Sequence, residues 1–128
     1  MQEFSDLISD EEALSLYGFV YRVRFGVLYS YIGSKSVVGG RNWKKYKTSC
    51  QEVIKHWDSP DRAISVLYLL GIDNTPPKTQ LKRLHMIESS YIYMEAANTS
   101  IELINTTDAF RRHLPQLSVK PKHDKWII

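Results

Sequence analysis

Cysteine is almost missing from this chain of 128 residues: the one present is Cys50. A lone thiol cannot close an internal disulfide, so the fold has to be held by packing. Long apolar runs are missing too, and none approaches the ~18 residues that a membrane span requires. Histidine is sparse and scattered: His56, His85, His113 and His123, together with a single cysteine, give no zinc-ligand spacing. There is no internal repeat and no low-complexity tract. The N-terminal stretch MQEFSDLISDEEALSLYG holds five acids and no base, the reverse of a signal or transit peptide. These absences lead to the expectation of a cytoplasmic chain, that of the host cell if a phage encodes it, with no membrane partner.

What the chain does have is 43% hydrophobic and 24% charged residues, an ordinary globular composition. Its length suits one domain with a real core. We expect that domain to run over residues 1–114, followed by a basic tail over 115–128. The net charge is only +3, but it is unevenly spread. The first twenty residues are acidic, whereas GGRNWKKYK and RRHLPQLSVKPKHDKW are basic. Segregated charge of this kind suits an anionic partner, nucleic acid first.

Local patterning gives an order of elements. Residues 4–16 predict a short helix with Ser9 or Asp10 as its N-cap. GFVYRVRFG alternates, with Phe19, Tyr21, Val23 and Phe25 on one face and Arg22 and Arg24 on the other, which predicts a strand. VLYSYIG predicts a second strand ending at Gly33, joined to the first as a β-hairpin, and SKSVVGG a loop. RNWKKYKTSCQEVIKHW predicts a helix with Trp43, Tyr46, Cys50, Val53 and Trp57 as its inner stripe. AISVLYLLG predicts a third and central strand, and IDNTPPKT a loop. Residues 79–97 predict a helix with apolar residues at 81, 84, 87, 91 and 94, and a further short helix falls within 100–113. The sum is an α+β domain: a small three-stranded antiparallel or mixed sheet, a hairpin plus a central third strand, flanked by helices.

Tyr31-Ile32-Gly33 closes the second strand, and Tyr21 stands ten residues before Tyr31 on the first. Arg41 follows Gly33 by eight residues. On the late helix, IESSYI supplies Glu88 with Tyr91 and Ile92 after it. Hairpin, YIG, arginine at plus eight and glutamate on the later helix, in that order, resemble the GIY-YIG nuclease family over roughly residues 17–105. The likeness is greatest to the compact phage and intron-associated endonucleases, where SKS-like and W-K-Y segments follow the second motif. The first motif departs from the pattern: Phe19 occupies the family's glycine position, and Gly18 is one residue early.

The resemblance implies a GIY-YIG-like fold and a divalent-metal-dependent DNA endonuclease, carried by a phage or mobile element, that nicks or cuts double-stranded DNA. It implies Tyr21, Tyr31, Arg41 and Glu88 as catalytic residues, with Glu88 the ligand of Mg²⁺ or Mn²⁺. One carboxylate suffices for magnesium, which keeps most of its waters; Glu95, seven residues on, is the reserve. Arg41 suits a phosphate clamp because its planar fork cannot be neutralised. Gly33, Lys35, Lys45, Tyr46 and Asn105 are supporting candidates: many members carry His or Tyr four residues past the arginine, a place taken here by Lys45 with Tyr46 beside it, and an Asn after the glutamate helix, where Asn105 fits better than Asn98. Lys44 and Lys47 beside Trp43 and Tyr46, with Arg111, Arg112, Lys120, Lys122 and Lys125 in the tail, are candidate DNA contacts. With so little chain after the expected domain, a second chain or a homodimer could share in recognition. The alternative is a DNA-binding or interaction module on the same fold that has lost its chemistry. A third is an RNA-binding protein that stacks bases on Tyr29, Tyr31 and Trp43.

Overall fold

The computed structural model describes residues 2–27, 29–38, 43–98 and 100–105. Eight elements follow in chain order: α1 (Phe4–Leu7), α2 (Asp10–Leu14), β1 (Leu16–Phe25), β2 (Tyr29–Ser36), α3 (Gln51–Lys55), β3 (Arg62–Gly71), α4 (Pro77–Ala96) and β4 (Glu102–Leu103). The class is α+β, with a four-stranded mixed sheet in the order β3-β1-β2-β4. Among the described residues, no helix is long and apolar enough to cross a membrane.

The single N-terminal helix expected over 4–16 is two short ones. Ser9 is the N-cap of the second: its Oγ accepts from Glu12 N–H at 3.1 Å while Glu12 Oε1 accepts from Ser9 N–H at 3.1 Å. A reciprocal cap of this type must start a helix, so the chain cannot run through it as one piece. β1 alternates as its sequence predicts, and a turn opened by Gly26 leads into β2. β2 passes Gly33 and continues to Ser36, so part of the expected SKSVVGG loop is strand. The β1–β2 register is unbroken, with Tyr21 opposite Gly33 and Phe19 opposite Lys35.

Three corrections concern later elements. First, among the described residues of the helix expected over 41–57, only Gln51–Lys55 is α-helical. Thr48 Oγ1 accepts the Cys50 N–H at 3.2 Å, a local side-chain bond that competes with helix pairing. Trp43, Tyr46, Cys50, Val53 and Trp57 still turn inward, but from an irregular segment. Second, the third strand is not central. β3 lies at the sheet edge, with Tyr68 and Leu69 about two-fifths exposed (42% and 40%); its apolar run marks packing on β1, while α4 covers β1 and β2. Third, the sheet has a fourth strand. Glu102 and Leu103, within the expected 100–113 helix, pair parallel with Tyr29 and Ser30.

Two cores sandwich the sheet. One face is aromatic: Phe4, fully buried, packs its ring 5.3 Å from Phe19, 4.7 Å from Tyr21 and 6.1 Å from both Tyr46 and Trp57. Four ring contacts on one side chain make α1 the lid of this face, although it is only one turn long. The other face is mainly aliphatic, with Val20, Ile32, Leu70 and Leu103 of the sheet packed with Leu84 and Ile92 of α4. The buried stripe of α4 is Gln80, Leu84, Glu88, Ser89, Ile92 and Glu95. It is rotated from the expected apolar stripe, leaving Leu81 and Met94 39% and 57% exposed. Polar partners on the sheet draw the helix round: Ser30 Oγ donates to Glu95 Oε2, and Arg24 Nη2 lies 3.3 Å from Glu95 Oε1.

Candidate active site

The site grows from a place where a side chain is missing. A Cβ on Gly33 would collide with the ring and hydroxyl of Tyr21 and with the Tyr31 ring. Glycine therefore lets Tyr21, its cross-strand partner, lie flat across β2. Gly18 meets a different demand: a Cβ there would fall 2.5 Å from Lys35 O and 2.9 Å from Leu84 Cδ2. The glycine one place before the first-motif position is thus required where α4 approaches the sheet. Phe19, in the motif position itself, is buried against Phe4 and edge-on to Trp43 at 6.3 Å.

Tyr21 is completely buried. Its hydroxyl donates to Thr48 Oγ1 at 3.0 Å and lies 2.9 Å from the Tyr46 hydroxyl. With the Tyr21 proton directed at Thr48, Tyr46 is the donor of the second bond. Tyr31 packs at 6.2 Å from Tyr21, and Lys35 Nζ sits 4.8 Å over the Tyr46 ring, an attractive cation–π placement. Ser49 lies near the outer phenols, and its side chain favours the phenolate form of both Tyr31 and Tyr46. Burial pushes all three phenols above their ordinary range. On Tyr21 the neighbouring phenols act in the same direction. On Tyr46 the neighbouring Tyr21 and Ser49 hydroxyls act against burial, because either can turn its proton toward a phenolate there.

Glu88 arrives from the opposite face, on the buried stripe of α4, and is 5% exposed. Its charge reaches both Tyr31 and Tyr46 and helps to keep their protons on. Glu88 thus acts on Tyr31 and Tyr46 across β2, phenols on one face and carboxylate on the other. Glu95, by contrast, is held by Ser30 and by Arg24 and Arg22, the latter at 3.9 Å. The reserve ligand is a structural ion pair.

The sequence-predicted residues separate as follows. Tyr21, Tyr31, Gly33, Lys35, Tyr46 and Glu88 come together. Lys45 is exposed, whereas Tyr46, its neighbour and fellow candidate, is part of the phenol cluster. Asn105 is 3% exposed and makes a two-point bond to the β2 backbone: Oδ1 accepts from Ile32 N–H at 3.1 Å and Nδ2 donates to Ile32 O at 2.8 Å. It acts as one further residue of a strand and fixes the peptides between Tyr31 and Gly33. Asn98 instead accepts from Ser100 N–H at 3.1 Å, away from the site. Lys44 is paired with Asp10 at 2.7 Å, and Lys47 is exposed. Arg41 lies outside the described residues, as do Arg111, Arg112, Lys120, Lys122 and Lys125; Val37 and Trp43, which flank Arg41, both pack in the aromatic core. Thr48 and Ser49 were missed by sequence reasoning. Their one signal is their place two and three residues after Tyr46, inside a stretch that reads as helix.

Glu88 and the phenols are hard oxygen donors. Among the described residues no group of three or more His, Cys, Asp or Glu could hold a metal. That donor set fits magnesium or manganese, which accept one or two carboxylates and retain water, and does not fit structural zinc. Comparisons with protein-family models, with curated proteins and with solved structures find no match to this chain.

Proposed function

We propose that this chain is a divalent-metal-dependent DNA endonuclease of the GIY-YIG type, encoded by a phage or mobile element and acting in the host cytoplasm. The observation that carries the reading is the cluster of Tyr21, Tyr31 and Tyr46 beside Gly33, with the charge of Glu88 on α4 acting on Tyr31 and Tyr46, drawn from two strands, an irregular segment and a helix. These elements are far apart in sequence, and a merely structural core has no need of a buried carboxylate whose charge acts on two phenols.

Phosphodiester hydrolysis needs a water placed in line with the leaving oxygen, a group to take its proton, and positive charge on the phosphoryl oxygens. Tyr31 and Tyr46 are the half-buried phenols able to reach such a water. Tyr21 holds Tyr46 in place from within the core. Lys35 places positive charge over the Tyr46 ring, and Arg41 clamps the phosphate. Glu88 holds Mg²⁺ or Mn²⁺, which when bound supplies Lewis-acid charge at the phosphoryl group. DNA contacts beyond the site come from Lys47 and the basic tail, with a second copy as a possible contributor.

The complete burial of Tyr21 and the commitment of its hydroxyl on both sides favour a second reading, a DNA-binding module without catalysis. Supercoiled plasmid incubated with the protein and magnesium separates the two. Nicked or linear product that disappears on chelation is the expected result. Plasmid that is bound but stays uncut in both magnesium and manganese would favour the module.

A further inference from the structure

Successive peptide groups of β2 face alternately toward β1 and away from it. The outward set is identified by its partners. Ser30 O accepts from Ile104 N–H at 2.7 Å, and both backbone groups of Ile32 are taken by Asn105. The β1–β2 register continues without a bulge through Val20↔Ser34 and Gly18↔Ser36. The alternation therefore turns the N–H and C=O of Ser34 outward as well. Among the described residues nothing bonds them. β4 and the Asn105 side chain end one step short of Ser34, which directly follows Gly33 and shares the α4 side of the sheet with Ile32. The open edge thus begins where the phenols of one face and Glu88 of the other come together.

Resting on the nuclease reading above, we propose that the Ser34 N–H donates to a non-bridging oxygen of the scissile phosphate. As the water oxygen bonds to phosphorus, one water proton passes to a base. The bond to the leaving oxygen breaks, and its electron pair departs with that oxygen. Negative charge on the non-bridging oxygens grows or shifts during this step. A fixed amide at a strand edge is already aimed and needs no reorganisation. Unlike a lysine, it also binds without a long side chain to order.

Ser34→Pro removes this N–H, and proline is tolerated at edge positions whose N–H faces away from the ladder. Ser34→Ala retains the N–H and measures what the hydroxyl contributes. Single-turnover cleavage of plasmid at saturating protein, with DNA affinity measured in calcium, is the readout. Expected is a rate loss of about 10²–10³-fold for Ser34→Pro, at least tenfold more than for Ser34→Ala, with affinity nearly unchanged. Should Ser34→Pro fail to fold by circular dichroism, an ester in place of the residue 34 amide deletes the same hydrogen without the ring. A rate for the proline or ester variant within about threefold of Ser34→Ala overturns the assignment while leaving the nuclease reading intact. A wild-type protein that never cleaves overturns both.

Discussion

Over residues 29–32 the outer edge of β2 is filled: β4 pairs with Tyr29 and Ser30, Asn105 takes both backbone groups of Ile32, and Glu95 locks Ser30 to Arg24. Over residues 33–36 no strand lies beside the same edge among the described residues, and Glu88, Lys35 and the outer phenols gather there. The two glutamates of α4 make the contrast plain. Both belong to its buried stripe, at 5% and 8% exposure. One is matched by arginines and a serine; the other lends its field to two phenols. Burial alone does not tell a brace from a site. The partners do: they make the closed half a brace, and the proposed chemistry lies in the open half.

The sharpest break of this comparison is Glu88→Gln. Glutamine keeps the shape and removes the charge, so cleavage should fall by 10³-fold or more, on the order of the upper range for removing an essential charged group, with DNA binding and melting temperature nearly unchanged. Equal loss in Glu95→Gln at unchanged stability would erase the distinction between the halves. Arg41→Ala comes next. If Arg41 clamps developing charge, the rate should drop by about 10²–10³, and Arg41→Lys should recover only part because a point charge cannot fork. A rate within about threefold of wild type would make Arg41 a surface residue.

The closed half should answer in stability. Asn105→Ala deletes two buried hydrogen bonds and strands both backbone groups of Ile32, at about 1–3 kcal/mol for each unsatisfied group. Urea unfolding should show a loss of roughly 2–4 kcal/mol, and a loss well under 1 kcal/mol would mean that β4 braces the edge without the side chain. The phenols give a pH test. Their folded pKa values are raised, whereas in the unfolded chain they titrate near 10. Above that pH the unfolded state has shed protons that the native state keeps, so stability falls as pH rises. Each phenol contributes about 1.4 kcal/mol per pH unit, and nothing below about pH 9. Melting temperatures measured from pH 9 to 11.5 should decline less steeply for Tyr46→Phe than for wild type; parallel lines would mean that Tyr46 titrates freely in the fold.

The smallest expected effect concerns DNA reach beyond the open edge. Truncation after Leu114 removes Lys120, Lys122 and Lys125. If these contact phosphates, the slope of log K against log salt should fall by roughly two to three units, with cleavage at saturating DNA retained. A lowered melting temperature with an unchanged slope would instead make the segment a structural strap.

Much of this molecule follows from its sequence alone. Alternation over GFVYRVRFG, the hairpin, the Ser9 cap and the long helix ending near Ala96 rest on local periodicity and spacing, which local sterics enforce; the candidacy of Tyr21, Tyr31, Tyr46, Glu88 and Asn105 rests on the family resemblance. What sequence could not supply was anything that depends on a neighbour from elsewhere in the chain. Which face α4 buries turned on Arg22, Arg24 and Ser30 waiting on the sheet, so polar residues displaced the apolar stripe. Whether β3 was central turned on where α4 came to rest. The stretch holding Tyr46 lost its helix because Thr48 bonds locally to the Cys50 N–H and to the Tyr21 hydroxyl. Glu88 and Glu95 look alike in sequence, seven residues apart on one helix; only the strand edge beneath them, closed at one and open near the other, made one a brace and left the other its field over the phenols.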